Sequence, residues 1–559
     1  MNKAEMIAQQ MADGNSIAKI WGDLLFNVKS YGAKGNGVKD DTAAIQSAIY
    51  AAYAAGGGIV RFPTGTYCCW NLAMKPNVVL VGNKGATLKR INNASQLHWI
   101  TADSITNFGI MNLTLDGNKA LTPTYPYTDT LSFINSGKFV IDDVTVMNSV
   151  NRGIYIEKNT DINNKTLSKV VKSTITNSDS ANIWARDCSD LNINDNVISL
   201  SHDNGVIVEY TTNRYTSGNN VRVERNKVLN NDNVGIWCYS NYATSSDRQT
   251  QIGILNISDN EVHHNGSHGI ITQINESHLI NNDIHDNVGT GLTVNTSKVT
   301  ISGGSIERNG NNGIDLGDCF NTIIQSVIIE ENGTTGIEVN SCEEVLIDSC
   351  FIRYNNSTNV AAPFGANNAI YIYQGTDGSA NPFPGNSKNI LVKNCVIRRK
   401  VGYFQDYGIR VGNTANRVSL IGNDVKDSGN TDDFKIENIE CLMIGNVSKN
   451  NDYNSAQANL VSAIDLFIPP DGDVFFVDGT ATIKNIITSG FGVSTLPARK
   501  GRKITLVLNS QFITLFAGNG SNTGNLLNNG DANVSGFLKI VEYICIGGSW
   551  LQYSASAGR

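Results

Sequence analysis

The sequence predicts an all-β fold, a parallel β-helix, on three observations. A short Gly-plus-strand motif recurs along the middle of a 559-residue chain, its copies are spaced almost evenly, and Asn, Asp and Gly separate the strands. A chain this long exceeds what one compact core holds, so several domains or one elongated array is expected. The self-similarity decides for an array. The motif reads "NRGIYIE" at Asn151, "DNGVIVE" at Asp203, "NVGIWCY" at Asn233, "SHGIITQ" at Ser267, "GTGLTVN" at Gly289, "NNGIDLG" at Asn311, "TTGIEVN" at Thr334 and "DYGIRVG" at Asp406. Weaker copies without Gly are "SANIWAR" at Ser180 and "NNAIYIY" at Asn367. From Gly269 through Gly291 and Gly313 to Gly336 the steps are 22, 22 and 23 residues.

Between the copies runs a second strand pair, as in "LNINDNVISL" at Leu191, "LNISDNEVHHN" at Leu255, "VTISGGSIERNG" at Val299 and "VLIDSCFIRYN" at Val345. Each repeat thus holds about three short alternating strands joined by residues that tolerate left-handed corners, which makes one coil. Alternation turns Ile, Val and Leu inward and leaves the intervening residues as an outer ladder. Corner Asn residues are expected to stack from coil to coil, as are Cys319 and Cys342, 23 residues apart. The 34-residue step from Gly235 to Gly269 predicts an inserted corner loop.

The flanking elements follow in order. Residues 1–25 are Ala-rich and amphipathic, a helical attachment or leader segment. The stretch 26–120 opens with a Gly turn and an acidic pair, Asp40 and Asp41, at the start of a predicted helix with Ile45, Ile49 and Ala52 on one face. Such a helix suits the unpaired strand edges at the end of the array, and 26–120 is expected to cap it. Coils occupy 120–460. The cycle then stops, and longer Val-, Ile- and Phe-rich strands over 461–559, after Pro469 and Pro470 at or near the boundary, predict a C-terminal β-sandwich for trimerisation or carbohydrate binding.

Composition narrows the partners. Charged residues make up 17% of the chain and the net charge is −7 with no basic cluster, so no nucleic-acid partner is expected. No apolar run has the length of a membrane span, and 1–20 lack the apolar centre of a signal peptide. The ten cysteines show no metal-ligand spacing and read as free thiols, several of them inside apolar strand patterns. No metal and no cofactor is expected. His263, His264 and His285, in "EVHHN" and "DIHDN", read as surface histidines.

"VKSYGAKGNGVKDDTAAIQSAI", "GGGIVRFPTGTY" and, later, "LTLDGNK" at Leu113 resemble the N-terminal module of pectate-lyase-superfamily right-handed β-helix proteins, most closely bacteriophage tailspikes and similar polysaccharide depolymerases. The resemblance covers roughly 26–450. It implies a homotrimer, a bacterial surface polysaccharide as partner, and placement on a virion tail, attached through the N-terminus to a tail or baseplate protein. Such a chain would act outside the cell after synthesis in the host cytoplasm without a signal peptide.

Read outward from each Gly, the ladder carries Tyr155 and Glu157, Trp184 and Arg186, Ile207 and Glu209, Trp237 and Tyr239, then Asp315, Glu338 and Tyr371 with Tyr373. Aromatic rings stack on sugar faces while carboxylates and amides bond hydroxyls, so Tyr155, Trp184, Arg186, Tyr210, Trp237 and Tyr239 are candidates for glycan binding. Glycoside hydrolysis needs two carboxyl groups, and three constellations offer them. Asp315 and Glu338 occupy equivalent slots in successive coils, with Asp318 at the nearby corner. Glu157 and Glu209 lie two coils apart with Arg186 between them. Asp203 and His268, with His202 and Asp232, sit at the corner before the Gly, similar to the acidic and Gly-His-Gly series of polygalacturonase-type hydrolases.

The expected function is therefore hydrolysis of a capsule, O-antigen or teichoic acid by carboxylate acid/base catalysis. Two alternatives stand beside it. A lyase would use Arg186 to take a proton next to a uronate carboxylate. A receptor-binding protein would use the same strip without turnover.

Overall fold

The computed structural model describes residues 24–91, 98–121, 128–159, 167–211, 219–240, 253–357, 367–374, 387–437, 441–444 and 446–448, and past 460 the backbone of the strands. The attachment segment expected over 1–25 lies almost wholly outside the described residues. The chain divides into two compact units, 1–314 and 315–559.

In the first unit each coil contributes one strand to each of three parallel sheets. One coil is Leu191–Asn194, Val197–Ser199 and Val206–Tyr210, and the next is Asn219–Glu224, Lys227–Leu229 and Ile236–Ser240. They pair in register as Leu191 with Val221, Val197 with Lys227 and Val206 with Ile236. The predicted alternation is plain in Val197–Ser199, Lys227–Leu229 and Ile236–Ser240, where buried Ile198, Val228, Ile236 and Cys238 alternate with more exposed neighbours. The Gly-led strands form the third sheet, which aligns the predicted outer ladder coil upon coil.

Corners are turned by single left-handed residues such as Asp195, Arg225, Asp259 and Asn281, with φ between 52° and 59°. The residue after each is a buried Asn. Asn196 donates to Asn226 at 2.9 Å, Asn226 to Asn260 at 3.0 Å and Asn260 to Asn282 at 3.0 Å. A second ladder runs Asn231, Asn265, Asn287, Asn309 with 2.9 Å at each step. Most of these amides also accept a backbone N–H and donate to a backbone carbonyl, as Asn265 does, so the ladder amides are satisfied. The expected stacking of corner Asn is thus present, and it is internal.

The motif Gly has a different cause from the one its flexibility suggests. At Gly269 a Cβ would lie 2.6 Å from the Gly291 carbonyl oxygen and 2.4 Å from a methyl of Ile284. Only a hydrogen fits where the next coil's backbone passes so close.

The helix Thr42–Ala54 buries Ile45, Ala48, Ile49 and Ala52, and packs against strands Leu25–Asn27, Gly58–Phe62 and Leu72–Ala73. The acidic pair before it divides its work. Asp40 accepts the N–H of Thr42 at 2.8 Å at the helix start, while buried Asp41 accepts the N–H groups of Lys34 and Gly35 at 2.7 and 2.9 Å and so holds the Gly turn.

The second unit repeats the three-strand coil, for example Phe320–Gln325, Ile328–Glu330 and Ile337–Asn340. Cysteine takes part of the interior here. At the corner before the first-sheet strands Cys319 donates its N–H to the Cys342 sulfur at 3.4 Å, while Cys350 and Cys395 line the next corner, whose following members are Asn423 and Asn446. All nine described cysteines are buried and free. Past 460 the strands form one six-stranded and two three-stranded sheets, with parallel and antiparallel pairs together, such as Val474–Asp478 beside Lys503–Leu508 and the latter beside Lys539–Ile546.

Candidate functional site

The third sheet of the first unit brings one predicted constellation together. Glu157 pairs in register with Arg186, and Arg186 with Glu209, while Tyr239 follows Glu209. These residues are outward because the strand period is two and their neighbours Ile156, Ala185, Val208 and Cys238 fill the core. Glu209 is nonetheless only 4% exposed. Its Oε2 accepts the Trp184 indole N–H at 2.9 Å and lies 3.5 Å from Arg186 Nε. The Tyr239 hydroxyl also bonds Glu209, and burial together with that carboxylate drives the Tyr239 pKa well above its usual value. Two coils before Glu209, the Tyr155 hydroxyl donates to Glu157 at 2.7 Å, and burial first, then that bond, push Tyr155 up to about 12. Burial opposes the Arg186 charge, but the Tyr155 hydroxyl and the carboxylates of Glu209 and Glu157 outweigh it and raise its pKa. Trp237 and Tyr239 rings lie 4.5 Å apart, which leaves an aromatic pair beside the carboxylate.

Two residues that the motif search passed over belong to this sheet. Arg152 places its guanidinium 3.6 Å from the Tyr155 ring centre and 5.1 Å from that of Trp184. It is held by a two-pronged pair with fully buried Asp129, at 2.7 and 2.9 Å, and His98 adds a contact to the same carboxylate at 3.1 Å. Arg152 stands just before a motif Gly, at the corner position that Asn204 and His268 take in other copies. Asp129 precedes "LSFI", a strand without the Gly that marks the other copies.

The remaining predicted residues separate. Tyr210, expected beside Glu209 on the sugar-facing strip, is instead 7% exposed, because adjacent strand residues alternate in direction. Its hydroxyl donates to the Cys188 carbonyl at 3.3 Å. Asp203 accepts from the side chains of Asn204 at 2.7 Å and Asn233 at 3.3 Å, a corner-bracing role. His268 sits 3.4 Å from the Thr293 hydroxyl, and burial lowers its pKa.

In the second unit the backbone N–H of Asp318 donates to the Asn340 carbonyl at 3.1 Å. The bond from Lys158 to the Arg186 carbonyl accompanies the register Glu157 with Arg186, so the same pattern sets Gly317 opposite Asn340 and Asp315 opposite Glu338. Burial, then the Glu338 charge, push the Asp315 carboxyl up to about 7. The Tyr373 hydroxyl donates to Glu338, and its ring stacks on Tyr371 with centres 4.3 Å apart. Arg410 lies over the Tyr371 ring at 4.7 Å and pairs with Glu437 at 3.2 Å. A carboxyl that keeps its proton near neutrality beside a second carboxyl can act as a general acid. Asp318 turns the corner at φ 51°.

Comparison with known proteins adds the fold's relatives. Residues 25–245 match the family described as rhamnogalacturonase A/epimerase, pectate lyase-like, and residues 245–425 match the right-handed β-helix region. The fold is thus a pectate lyase-like right-handed parallel β-helix with three sheets. Mannuronan C5-epimerase AlgE5 of Azotobacter vinelandii is 44% identical over 109 residues, which are 17% of this chain and 11% of that protein. Alginate lyase 7 of the same organism is 38% identical over 109 residues, 17% of this chain and 13% of the lyase. The chain therefore spans only a small part of these relatives. Among solved structures, the N-terminal fragment of bacteriophage phi29 gene product 12 is similar over 87% of this chain and 82% of its own, at 14% identity and a TM-score of 0.49.

Proposed function

We propose that this chain is a polysaccharide depolymerase of the tailspike kind, which hydrolyses glycosidic bonds of a bacterial surface glycan. The carrying observation is Asp315, a carboxyl with a pKa of about 7 opposite Glu338. Asp315 would donate its proton to the glycosidic oxygen as the bond to the anomeric carbon breaks. Glu338 would take a proton from the attacking water or attack that carbon itself. The stacked Tyr371 and Tyr373 beside the pair offer a platform for a sugar ring. The test is incubation with host capsule, O-antigen or teichoic acid. New reducing ends without ultraviolet absorbance from a 4,5-unsaturated uronate with the wild-type chain, and their absence with Asp315→Asn and with Glu338→Gln, support the reading; unchanged cleavage by both variants removes it. A homotrimer on a virion tail, with a helical cap and a C-terminal sandwich, completes the proposal, and the mass of the chain in solution tests its oligomeric part.

A second reading has its own support. The relatives are named for mannuronan epimerisation and alginate cleavage, chemistry that begins by removing a proton next to a uronate carboxylate. Arg186, between Glu157 and Glu209 and bonded to Tyr155, would meet such a carboxylate. Elimination cuts the chain too and so raises the count of reducing ends, but it leaves a 4,5-unsaturated uronate that absorbs in the ultraviolet, whereas epimerisation inverts C5 without cutting the chain. A chain that binds the glycan and leaves its mass and composition unchanged would instead be a receptor-binding protein.

A further inference from the structure

Glu157, Glu209 and Glu338 each bond a tyrosine hydroxyl, and the last does so beside a second acid. In the first unit Tyr155 serves Glu157 and Tyr239 serves Glu209, with Arg186 next to both carboxylates. In the second unit Tyr373 donates to Oε1 of Glu338, and the group opposite Glu338 is Asp315. A tyrosine beside an ion pair has no shared proton to place; one beside an acid pair has.

The bond to Glu338 runs diagonally across the sheet. Register sets Tyr371 opposite Glu338 and Tyr373 opposite Asn340, so the Tyr373 hydroxyl reaches back one coil to a residue two positions from its own partner. Its ring is held for that reach. It stacks on Tyr371 with centres 4.3 Å apart and planes 10° from parallel, and Arg410 lies over the Tyr371 ring at 4.7 Å. Glu437 in turn holds Arg410 at 3.2 Å and Lys435 at 2.9 Å, so the two cations near the pair are turned to Glu437. A donor fixed by packing and by further polar contacts is delivered to one oxygen.

We infer that Tyr373 is a positioning residue of the acid pair: its hydroxyl keeps Glu338 as the carboxylate and so leaves the shared proton on Asp315. The inference rests on the hydrolytic reading for its use in cleavage. Two acids this close hold one proton between them over a range of pH, and a hydroxyl donor favours the charged form of the carboxylate it meets. No donor meets Asp315 among the described residues, where burial and then the Glu338 charge favour the protonated form. Burial, then the bond to Glu338, push the Tyr373 pKa well above its usual value, so its hydroxyl stays a donor wherever the pair titrates. Without that hydroxyl the two carboxyls would compete for the proton. Each chain with the proton on Glu338 would then lack the acid and the base where bond cleavage needs them.

The experiment is infrared spectroscopy of the full chain at about pH 6, with the carboxyl carbons of either Asp or Glu isotopically labelled so that their protonated bands separate. In the wild-type chain the band that Asp315→Asn removes should move with the Asp label, and no band should move with the Glu label. Tyr373→Phe keeps the ring and its stack, and should bring in a Glu-labelled band that the further change Glu338→Gln removes. With glycan, Tyr373→Phe should move the acid limb of the kcat profile up by about one pH unit, a roughly tenfold loss on that limb, with KM unchanged. Loss of a purely structural bond would lower Tm and leave the limb in place. A Glu-labelled band already present in the wild-type chain, none in Tyr373→Phe, or an unmoved limb overturns the inference. A wild-type chain that cleaves no glycan would instead remove the hydrolytic reading, and the infrared bands would still decide which carboxyl holds the proton.

Discussion

The two units build the same coil and set different partners opposite the carboxylates of their outer ladders. On the third sheet of the first unit each buried acid faces donors: Glu209 meets Trp184, Arg186 and Tyr239, and Asp129 meets Arg152 and His98. In the second unit Asp315 faces another acid, Glu338, while Arg410 is engaged by Glu437 and the Tyr371 ring. Interiors diverge in the same manner, with continuous Asn ladders in the first unit and stacked cysteines entering the second. The coil specifies where a side chain points; the residue one coil away specifies what it can do. A carboxylate under an Arg is suited to binding or orienting charge, and one under a carboxylate is suited to proton transfer.

The largest expected effect separates the units directly. Asp315→Asn and Glu338→Gln should each lower depolymerisation by roughly 10²- to 10⁴-fold, the usual contribution of a positioned acid or base. Arg186→Ala should act mainly on binding of the glycan. If Arg186→Ala instead abolishes turnover while both acid variants retain it, the chemistry belongs to the first unit and the elimination or epimerisation reading replaces hydrolysis.

A second effect rests on the sign of the Asp315 shift. Its carboxyl titrates near 7 in the folded chain against about 3.9 for an unfolded Asp, so the folded state binds the extra proton between those values. Its favourable contribution is fully present below about pH 3.9 and is lost as pH rises through 7. By linkage the loss approaches roughly 4 kcal/mol at alkaline pH, an upper bound for a site that can relax. Asp315→Asn removes that dependence. Denaturant midpoints should show the variant more stable than wild type at pH 8, with the difference vanishing near pH 4. A constant difference across pH would mean that the Asp315 carboxyl takes up its proton equally in the folded and unfolded chain.

How much of this could be read beforehand depends on what repeats. The period, the three strands per coil, the corner Asn and the alignment of Glu157, Arg186 and Glu209 all follow from spacing, because a solenoid converts sequence period into spatial register. Asp129 and Arg152 escaped because their importance comes from a pairing across coils, and the Asp129 strand lacks the marker Gly. The burial of His263 was hidden for a similar reason. An outward position is ordinarily wet, and here the packing of His285, set by register, and of His264 against the ring covers it. Glu209 is likewise outward by pattern and covered by its neighbours. Composition and period report direction, whereas environment depends on neighbours some 22 to 34 residues distant.

Next in size is the backbone contact that the motif Gly permits. Gly269→Ala would drive a methyl into the Gly291 carbonyl oxygen and Ile284, neither of which can yield without moving a coil. A loss of roughly 3 kcal/mol is expected, at the upper end for overpacking, read as a lower urea midpoint. A substitution that costs nothing would show that coils in the first unit can separate locally, and would weaken the claim that close approach, rather than flexibility, selects Gly at this position.

The smallest effect concerns a residue that sequence pattern assigned to the sugar-facing strip. Tyr210 is buried and spends its hydroxyl on the Cys188 carbonyl. Tyr210→Phe keeps the ring and removes that single neutral hydrogen bond, so stability should fall by about 1 kcal/mol while glycan affinity and turnover stay at wild-type levels. Trp237→Ala, on the aromatic pair beside Glu209, should behave in the reverse sense, with affinity reduced and stability little changed. The pair of variants therefore tests alternation itself. If Tyr210→Phe weakened glycan binding as Trp237→Ala does, the strand Val206–Tyr210 would have to present both faces to the ligand, which a strand packed on a filled core cannot do.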